Sequence, residues 1–456
     1  MSLKGALCRR VLMPVRRLFS AESAKRHRLL RELEESQWWA AARLRDLQAE
    51  RLRDIGGAAW KTPFYKKRFR GCRLSPSNDF TPEDLAKIPP LTKDDIRRYG
   101  GDLLDPSWPK EDLHPHRTGG STGEPITVYA ETDSEFAVWA MVTRHNRWAG
   151  WDFGERFALL WGATRDAMRM KKAFFETFSE SLLTPRLWLN AFRMNRERMA
   201  EFADLLNRFK PRCVQSYASA AFFFAQYIQA TGKELTFRPF GIITSADPLC
   251  PEYRPVIESV FGCPVFNRYG CREVMTLASE CEAHAGLHVC AEHFIVEIVR
   301  PDFSPCAPGE AGEVLVTSLT RRAMPLIRYA IGDTAVLEKD EPCPCGRQLP
   351  RLREVQGRAS DIFRLPGGTI VHGIFFSSIF YGNTMGVQKF QVLQDALDHF
   401  EIKLVVDERF QKAVVEKFRK EIEEFLEPGI RLDFRFVPEI EPGPTGKHRF
   451  AVSKVS

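Results

Sequence analysis

Short apolar runs alternate with helix-patterned segments between residues 126 and 267, and this alternation constrains the fold more than any other feature. Residues 126–129 read as a strand, 133–149 as a helix rich in Trp, Phe and Val, and 156–161 as a buried strand. Residues 222–231 read as helix, 240–244 as strand, 252–261 as helix and 265–267 as strand. That order predicts an α/β fold with substantial parallel pairing. Residues 286–340 change character: 288–290, 294–299, 312–317 and 334–337 read as strands of a β-rich subdomain. Beyond a junction at 357–361, residues 400–406, a helix at 408–426 and residues 431–437 form a small β-α-β unit in an α+β C-terminal domain. Upstream, residues 21–55 read as one charged helix ending near Gly56-Gly57 and anchored by Trp38-Trp39. Capping signals at Thr81-Pro82-Glu83-Asp84 and Thr92-Lys93-Asp94-Asp95 start two short helices.

At 456 residues the chain exceeds one ordinary core. The expected division is a basic tail and charged helix over 1–60, a large domain over 61–357, a connection at 358–361 and a small domain over 362–456. The net charge of +7 is modest for this length. A general nucleic-acid binder shows basic stripes interleaved with aromatics, so no nucleic-acid partner is expected. Eleven cysteines follow no framework spacing, and no secretory core or membrane-length apolar run is present in the sequence. Reduced thiols in a cytoplasmic protein are expected. Lys4, Arg9, Arg10, Arg16 and Arg17 all precede the first acid, Glu22. This start suits a basic tail or first helix, a membrane-surface segment, or an organelle presequence.

Residues 117–125, RTGGSTGEP, hold three glycines, two threonines and a serine in nine positions. Thr118, Gly119, Gly120, Ser121, Thr122 and Gly123 can bring backbone N–H groups and hydroxyls close to a polyanion. Glu124 and Pro125 stand where a Walker loop would carry Lys and Ser or Thr. Five motifs follow: Ser245-Ala246-Asp247-Pro248, Tyr269-Gly270-Cys271-Arg272-Glu273, Ile327-Arg328-Tyr329 leading to Gly332-Asp333, Gly357-Arg358-Ala359-Ser360-Asp361, and Pro444-Thr445-Gly446-Lys447.

In this order the motifs resemble the adenylate-forming, carboxylate-activating superfamily. Within it, the chain is most similar to the phenylacetate–coenzyme A ligase group and its branch found with capsular polysaccharide genes. The resemblance runs from about residue 35 to the C-terminus. It implies that a carboxylate attacks the α-phosphate of ATP, displacing pyrophosphate, before the acyl group passes to an acceptor. It gives the glycine loop the β and γ phosphates, Glu273 a share of Mg²⁺, Tyr269 the adenine and Asp333 the ribose hydroxyls. Arg358 approaches the nucleotide, and Lys447 bridges carboxylate and α-phosphate. Ser245, Ala246, Asp247, Gly270, Arg272 and Arg328 complete the implied nucleotide site, and Asp361 is the hinge on which the 362–456 domain swings. Three positions depart from the family pattern: Glu124 replaces a lysine, Arg272 replaces Ser or Thr, and Asp247 replaces Glu.

Cys343-Pro344-Cys345-Gly346, with Cys281 and His288, would make a Cys₃His zinc set. His284 is a rival to His288, and Cys290 is a spare. The similar group also carries structural metal on such ligands. Trp161, Tyr217, Ala218, Phe222 and Phe223 are candidate acyl-pocket residues, with a core role as the alternative for Phe222 and Phe223. Coenzyme A is the expected acceptor; a carrier-protein thiol, an amine or a sugar hydroxyl are alternatives. Arg321-Arg322 suits coenzyme A phosphates or plain solvation. A homodimer is allowed. The rival classes are a non-catalytic nucleotide-binding member of a biosynthetic pathway and a basic surface-binding protein.

Overall fold

The computed structural model describes residues 3–15, 20–75, 80–117, 126–161, 184–191, 196–339, 341–358, 362–366, 370–372, 376, 379–380, 386–411, 413–441 and 450–455. A hairpin of β1 (His114–Arg117) and β2 (Thr127–Ala130) precedes the Thr132–Trp148 helix. Then come β3 (Phe157–Trp161), β4 (Arg186–Asn190), β5 (Cys213–Ser216), β6 (Gly241–Ser245) and β7 (Val265–Cys271). These five pair in parallel in the order β4-β3-β5-β6-β7. Helices Arg196–Phe209, Ala218–Thr231 and Tyr253–Phe261 make the crossovers from β4 to β7. Parallel strands covered by such helices bury both faces, and β6 is buried at four of its five positions.

The chain then turns antiparallel through β8 (Met275–Glu280), β9 (Leu287–Val289), β10 (Phe294–Val299), β11 (Ala311–Ser318), β12 (Tyr329–Leu337) and β13 (Arg351–Arg358). The β-rich stretch is therefore hydrogen-bonded into one 11-stranded sheet with the parallel half. Strand β12 starts earlier than the sequence suggests, so Asp333 lies within a strand and not in a turn.

After β13 a short β14 (Ile362–Arg364) pairs with β15 (Ile370–His372). Strands β16 (Val387–Ala396), β17 (His399–Val406), β18 (Arg431–Phe436) and β19 (Ala451–Ser453) form a four-stranded sheet ordered β18-β17-β16-β19. The Ala413–Phe425 helix crosses from β17 to the parallel β18, which is the expected β-α-β unit. Phe390, Phe400, Ile402, Leu404, Phe418 and Ile422 are buried in it.

The single helix expected over 21–55 is two, Ala21–Ser36 and Ala41–Lys61. The break falls at Trp38-Trp39, and Gly56-Gly57 lies inside the second helix. Gly56 is needed there for packing: a Cβ would meet Cδ1 of Phe80 at 2.7 Å. Buried Arg144 donates to both oxygens of Glu292 (2.6 and 3.2 Å) and to the carbonyl of Leu33, joining the first helix to the sheet. Residues 3–15 are helical, with Cys8 and Met13 buried and Arg9 paired with Asp152 and Glu155. No described helix is long and apolar enough to cross a membrane.

Candidate functional site

In open parallel sheets ligands gather at the carboxyl ends of strands. Strand β7 ends at Cys271, and Glu273 sits in the turn to β8 with only 4% of its surface exposed. Tyr329, at the start of β12, donates its hydroxyl to Oε1 of Glu273 at 2.5 Å. Reciprocally, Tyr269 of β7 donates its hydroxyl to Oδ2 of Asp333 in β12 at 2.8 Å. Two acids and two tyrosines from segments about sixty residues apart thus cross-link. Burial, with the Glu273 charge behind it, raises the Tyr329 pKa and keeps it a donor. Gly270 allows the close approach within this turn, since a Cβ would stand 1.9 Å from the carbonyl oxygen of Met275.

Asp333 is the register partner of Arg358 across β12 and β13. Ser245 ends β6, and Ala246 follows at φ +75°. Met275 and Arg328 also have positive φ, so three turns that border the motifs hold sparsely populated backbone. The Asp247 carboxylate accepts N–H groups of Ala218 (2.5 Å) and Ser219 (3.0 Å), and the Ser219 hydroxyl. It therefore caps the Ala218–Thr231 helix at its positive end. Arg328 is 2% exposed and clamped by Glu297 and by the carbonyls of Ile88 (2.7 Å) and Ala86 (3.4 Å). Its guanidinium anchors the 81–91 segment to the sheet. Arg272 is exposed. Trp161 stacks on Tyr217 at 4.2 Å, whereas Phe222 is buried against Tyr253 as core. Thr118, Gly119, Gly120, Ser121, Thr122, Gly123, Asp361 and Lys447 lie outside the described residues.

The four expected zinc ligands come together. Ligand atoms of Cys281, His288, Cys343 and Cys345 all lie within 4.8 Å of one another. Cys281 Sγ is 3.7 Å from Cys343 Sγ, and Cys345 Sγ is 3.4 Å from His288 Nε2. A tetrahedral zinc with thiolates at about 2.3 Å separates sulfurs by about 3.8 Å, which this spacing fits. His288 directs Nδ1 at the carbonyl of Leu349 (3.2 Å), leaving Nε2 toward the sulfurs. Burial lowers its pKa to about 4, so the ring is neutral. His284 instead meets Glu280 and lies tilted against the Phe266 ring, and Cys290 faces His145.

Residues 364–454 match the family model of the CapK C-terminal domain. Protein CapK of Staphylococcus aureus is 25% identical over 413 residues, covering 90% of this chain and 89% of that one. Phenylacetate-coenzyme A ligase of Thermus thermophilus is 27% identical over 390 residues, covering 82% and 83%. CapK and phenylacetate–coenzyme A ligases are homologues of this chain. The crystal structure of 2-hydroxyisobutyryl-CoA ligase with R3-HIB-AMP superposes with a TM-score of 0.73 at 19% identity, covering 92% of this chain and 91% of that one. The fold is therefore that of the adenylate-forming ligases.

Tyr329 was not among the residues that sequence reasoning assigned to the site. A signal for it exists: Tyr269 stands four residues before Glu273, and Tyr329 four before Asp333. Arg321 and Arg322, treated alike in the sequence, part company. Arg322 is exposed and pairs with Asp54, while Arg321 is buried.

Proposed function

We propose that this chain activates a small carboxylic acid with ATP, forming an acyl-adenylate and pyrophosphate, and then passes the acyl group to the thiol of coenzyme A. The crossed pairs Tyr329–Glu273 and Tyr269–Asp333 carry this reading. They set two carboxylates beside the ends of parallel strands, in a chain whose relatives include phenylacetate–coenzyme A ligases. Each tyrosine fixes one oxygen of its acid and so orients the carboxylate. Asp333 is suited to accept the ribose hydroxyls. Glu273 would hold Mg²⁺, whose charge offsets that of the phosphates. Lys447 would place its ammonium between the substrate carboxylate and the α-phosphate, where charge accumulates as the new C–O–P linkage forms and the bond to pyrophosphate breaks. The Cys281, His288, Cys343 and Cys345 cluster would hold one structural zinc.

The test is ATP-dependent pyrophosphate release with Mg²⁺ and hydroxylamine across aryl, short-chain and hydroxy acids. Release with one acid, falling roughly a hundredfold or more in Lys447→Ala, is expected, by analogy with losing one oxyanion donor. Nucleotide-binding calorimetry accompanies it. Nucleotide binding without release for any acid would favour a non-catalytic member. The CapK match over 364–454 supports a second reading of the acceptor alone: a carrier-protein thiol, an amine or a sugar hydroxyl in polysaccharide or natural-product biosynthesis. Release of pyrophosphate without thioester on adding coenzyme A would select it.

A further inference from the structure

We propose that Arg321 binds a phosphate oxyanion, namely the polyphosphate end of the nucleotide seated near Glu273. The inference rests on the reading that the chain binds ATP, and it names a cation for that site that none of the motifs contains.

The first observation is burial without a partner. Arg321 is 4% exposed, its Nη1 is fully covered and meets no acceptor, and the guanidinium forms no ion pair with any described residue. Other buried arginines of this fold have acceptors: Arg268 meets the side-chain oxygen of Asn146, Arg351 meets the carbonyls of Ala285 and Glu341, and three more are paired with acids. Arg144 has Glu292, Arg328 has Glu297, and Arg347 has both oxygens of Glu282. A buried guanidinium with neither an anion nor another acceptor destabilises a protein, so its retention points to an anion that arrives from outside.

The second observation is that the backbone around Arg321 is stapled in place. The carbonyl of Thr320 accepts the Ser134 hydroxyl at 3.0 Å. The N–H groups of Arg322 and Ala323 donate to Glu131 at 2.8 and 3.2 Å. Ser134 and Glu131 lie directly after the β1–β2 hairpin. The backbone on both sides of Arg321 is thus held to the start of the Thr132–Trp148 helix, which directly follows that hairpin.

The third observation is its electrostatic surroundings. Glu131, Glu135 and Glu273 act on Arg321 at longer range, and each is held by a donor of its own. Glu131 takes the two N–H groups above, Glu135 meets His116 at 2.6 Å, and Glu273 takes the Tyr329 hydroxyl. An anion that neutralises Arg321 therefore lies within electrostatic reach of Glu273 as well as of Glu131 and Glu135. A polyphosphate satisfies both sides: its oxygens accept the arginine, and a divalent cation shared with a carboxylate removes the repulsion. The sequence agrees, because Glu124 stands where the similar family carries a lysine. Arg321 supplies a positive charge that Glu124 does not.

Calorimetry on full-length wild type, Arg321→Met and Arg321→Lys tests this, with Mg-ATP, inorganic pyrophosphate, AMP and coenzyme A titrated separately in phosphate-free buffer. Arg321→Met should bind ATP and pyrophosphate about tenfold more weakly or worse, with AMP and coenzyme A unchanged and partial recovery in Arg321→Lys. Melting of the unliganded Met variant should match or exceed wild type, because an unpaired buried charge has been removed. Unchanged ATP and pyrophosphate affinity in a wild type that adenylates would overturn the inference and leave the function standing. Weakening confined to coenzyme A would reassign Arg321 to that ligand and overturn the inference. Equal weakening of all four ligands with a lower melting temperature would make it a structural residue. A wild type that binds neither ATP nor pyrophosphate would overturn both the inference and the proposed function.

Discussion

A methyl group at position 270 would stand 1.9 Å from the carbonyl oxygen of Met275 and 3.0 Å from Cα of Thr276. Those atoms are backbone and cannot rotate aside, so Gly270→Ala must open the β7–β8 turn that carries Glu273. A loss of about 3 kcal/mol in stability is expected, with weaker nucleotide binding. A wild-type urea midpoint would show that the turn relaxes without cost. His293 gives a second expectation at this scale. Burial, reinforced by the neighbouring Arg51 charge, lowers its pKa from 6.5 to about 3. The unfolded chain then binds more protons between pH 6.5 and 3, so stability falls on acidification across that window. At pH 5 the loss attributable to His293 is about 2 kcal/mol. His293→Gln should flatten the fall in urea midpoint from about pH 7 to about pH 5, and an unchanged slope would remove His293 as its source. Glu273 and Asp333 were legible because each sits in a motif. Tyr269 was read as a site residue and Tyr329 only as part of a motif, but their pairing with the acids was not legible, because each hydrogen bond closes a separation of about sixty residues that local pattern does not encode. The burial of Arg321 was equally hidden, since an Arg-Arg pair reads as solvated until neighbours cover one of them.

Several elements meet around the proposed zinc cluster. The Gln37 side-chain oxygen accepts from Trp148 Nε1 at 3.0 Å and Arg347 Nε at 2.9 Å. The guanidinium of Arg347 lies 5.0 Å from the Trp38 ring and 4.7 Å from the Trp148 ring. The turn between the first two long helices is thereby docked on the segment holding Cys343 and Cys345. This docking explains why the charged stripe over 21–55 breaks at Trp38-Trp39: tertiary contacts take the backbone away from the helix that propensity alone would continue. A metal would lock the same junction. Purified protein should contain about one equivalent of zinc, and Cys345→Ser should lose it and melt at lower temperature. Absence of zinc by elemental analysis, with no change in melting on chelation, would remove the metal. The Cys-x-Cys turn was visible in the sequence, and His288 was the expected histidine with His284 left as its rival; the structure settles which of the two joins the cysteines. That choice required strand β9 to set His288 opposite Arg351 of β13, while His284 turns to Glu280.

At the scale of the whole molecule, the alternation of helix and strand announced the parallel half of the large sheet, because parallel strands need crossovers. The continuity of that half with the antiparallel strands was not readable, since it depends on β9 pairing with both β8 and β13. The large sheet ends at Arg358, the register partner of Asp333, while Phe363 packs edge-on against Phe376 (5.4 Å) and Phe400 (5.1 Å) of the C-terminal part. Among the described residues, no strand pair joins the 11-stranded sheet to those that follow. Rotation between the two parts would therefore break no ladder hydrogen bond, although Phe363, Phe376 and Phe400 share one hydrophobic cluster with Leu160, Phe222 and Ile257 of the parallel half, so a swing would have to part apolar contacts. In the proposed reaction Lys447, in the small part by sequence, would be turned toward Glu273 and Asp333 for adenylation and withdrawn for thiol attack. Proline at 361 fixes φ at that position and restricts residue 360. Asp361→Pro should thus keep hydroxylamine-coupled pyrophosphate release within about threefold while slowing thioester formation about tenfold or more. Single-turnover assays of each half-reaction read the two rates separately. Full wild-type rates in both halves would exclude a swing about Asp361, and equal slowing of both would place the effect on folding instead.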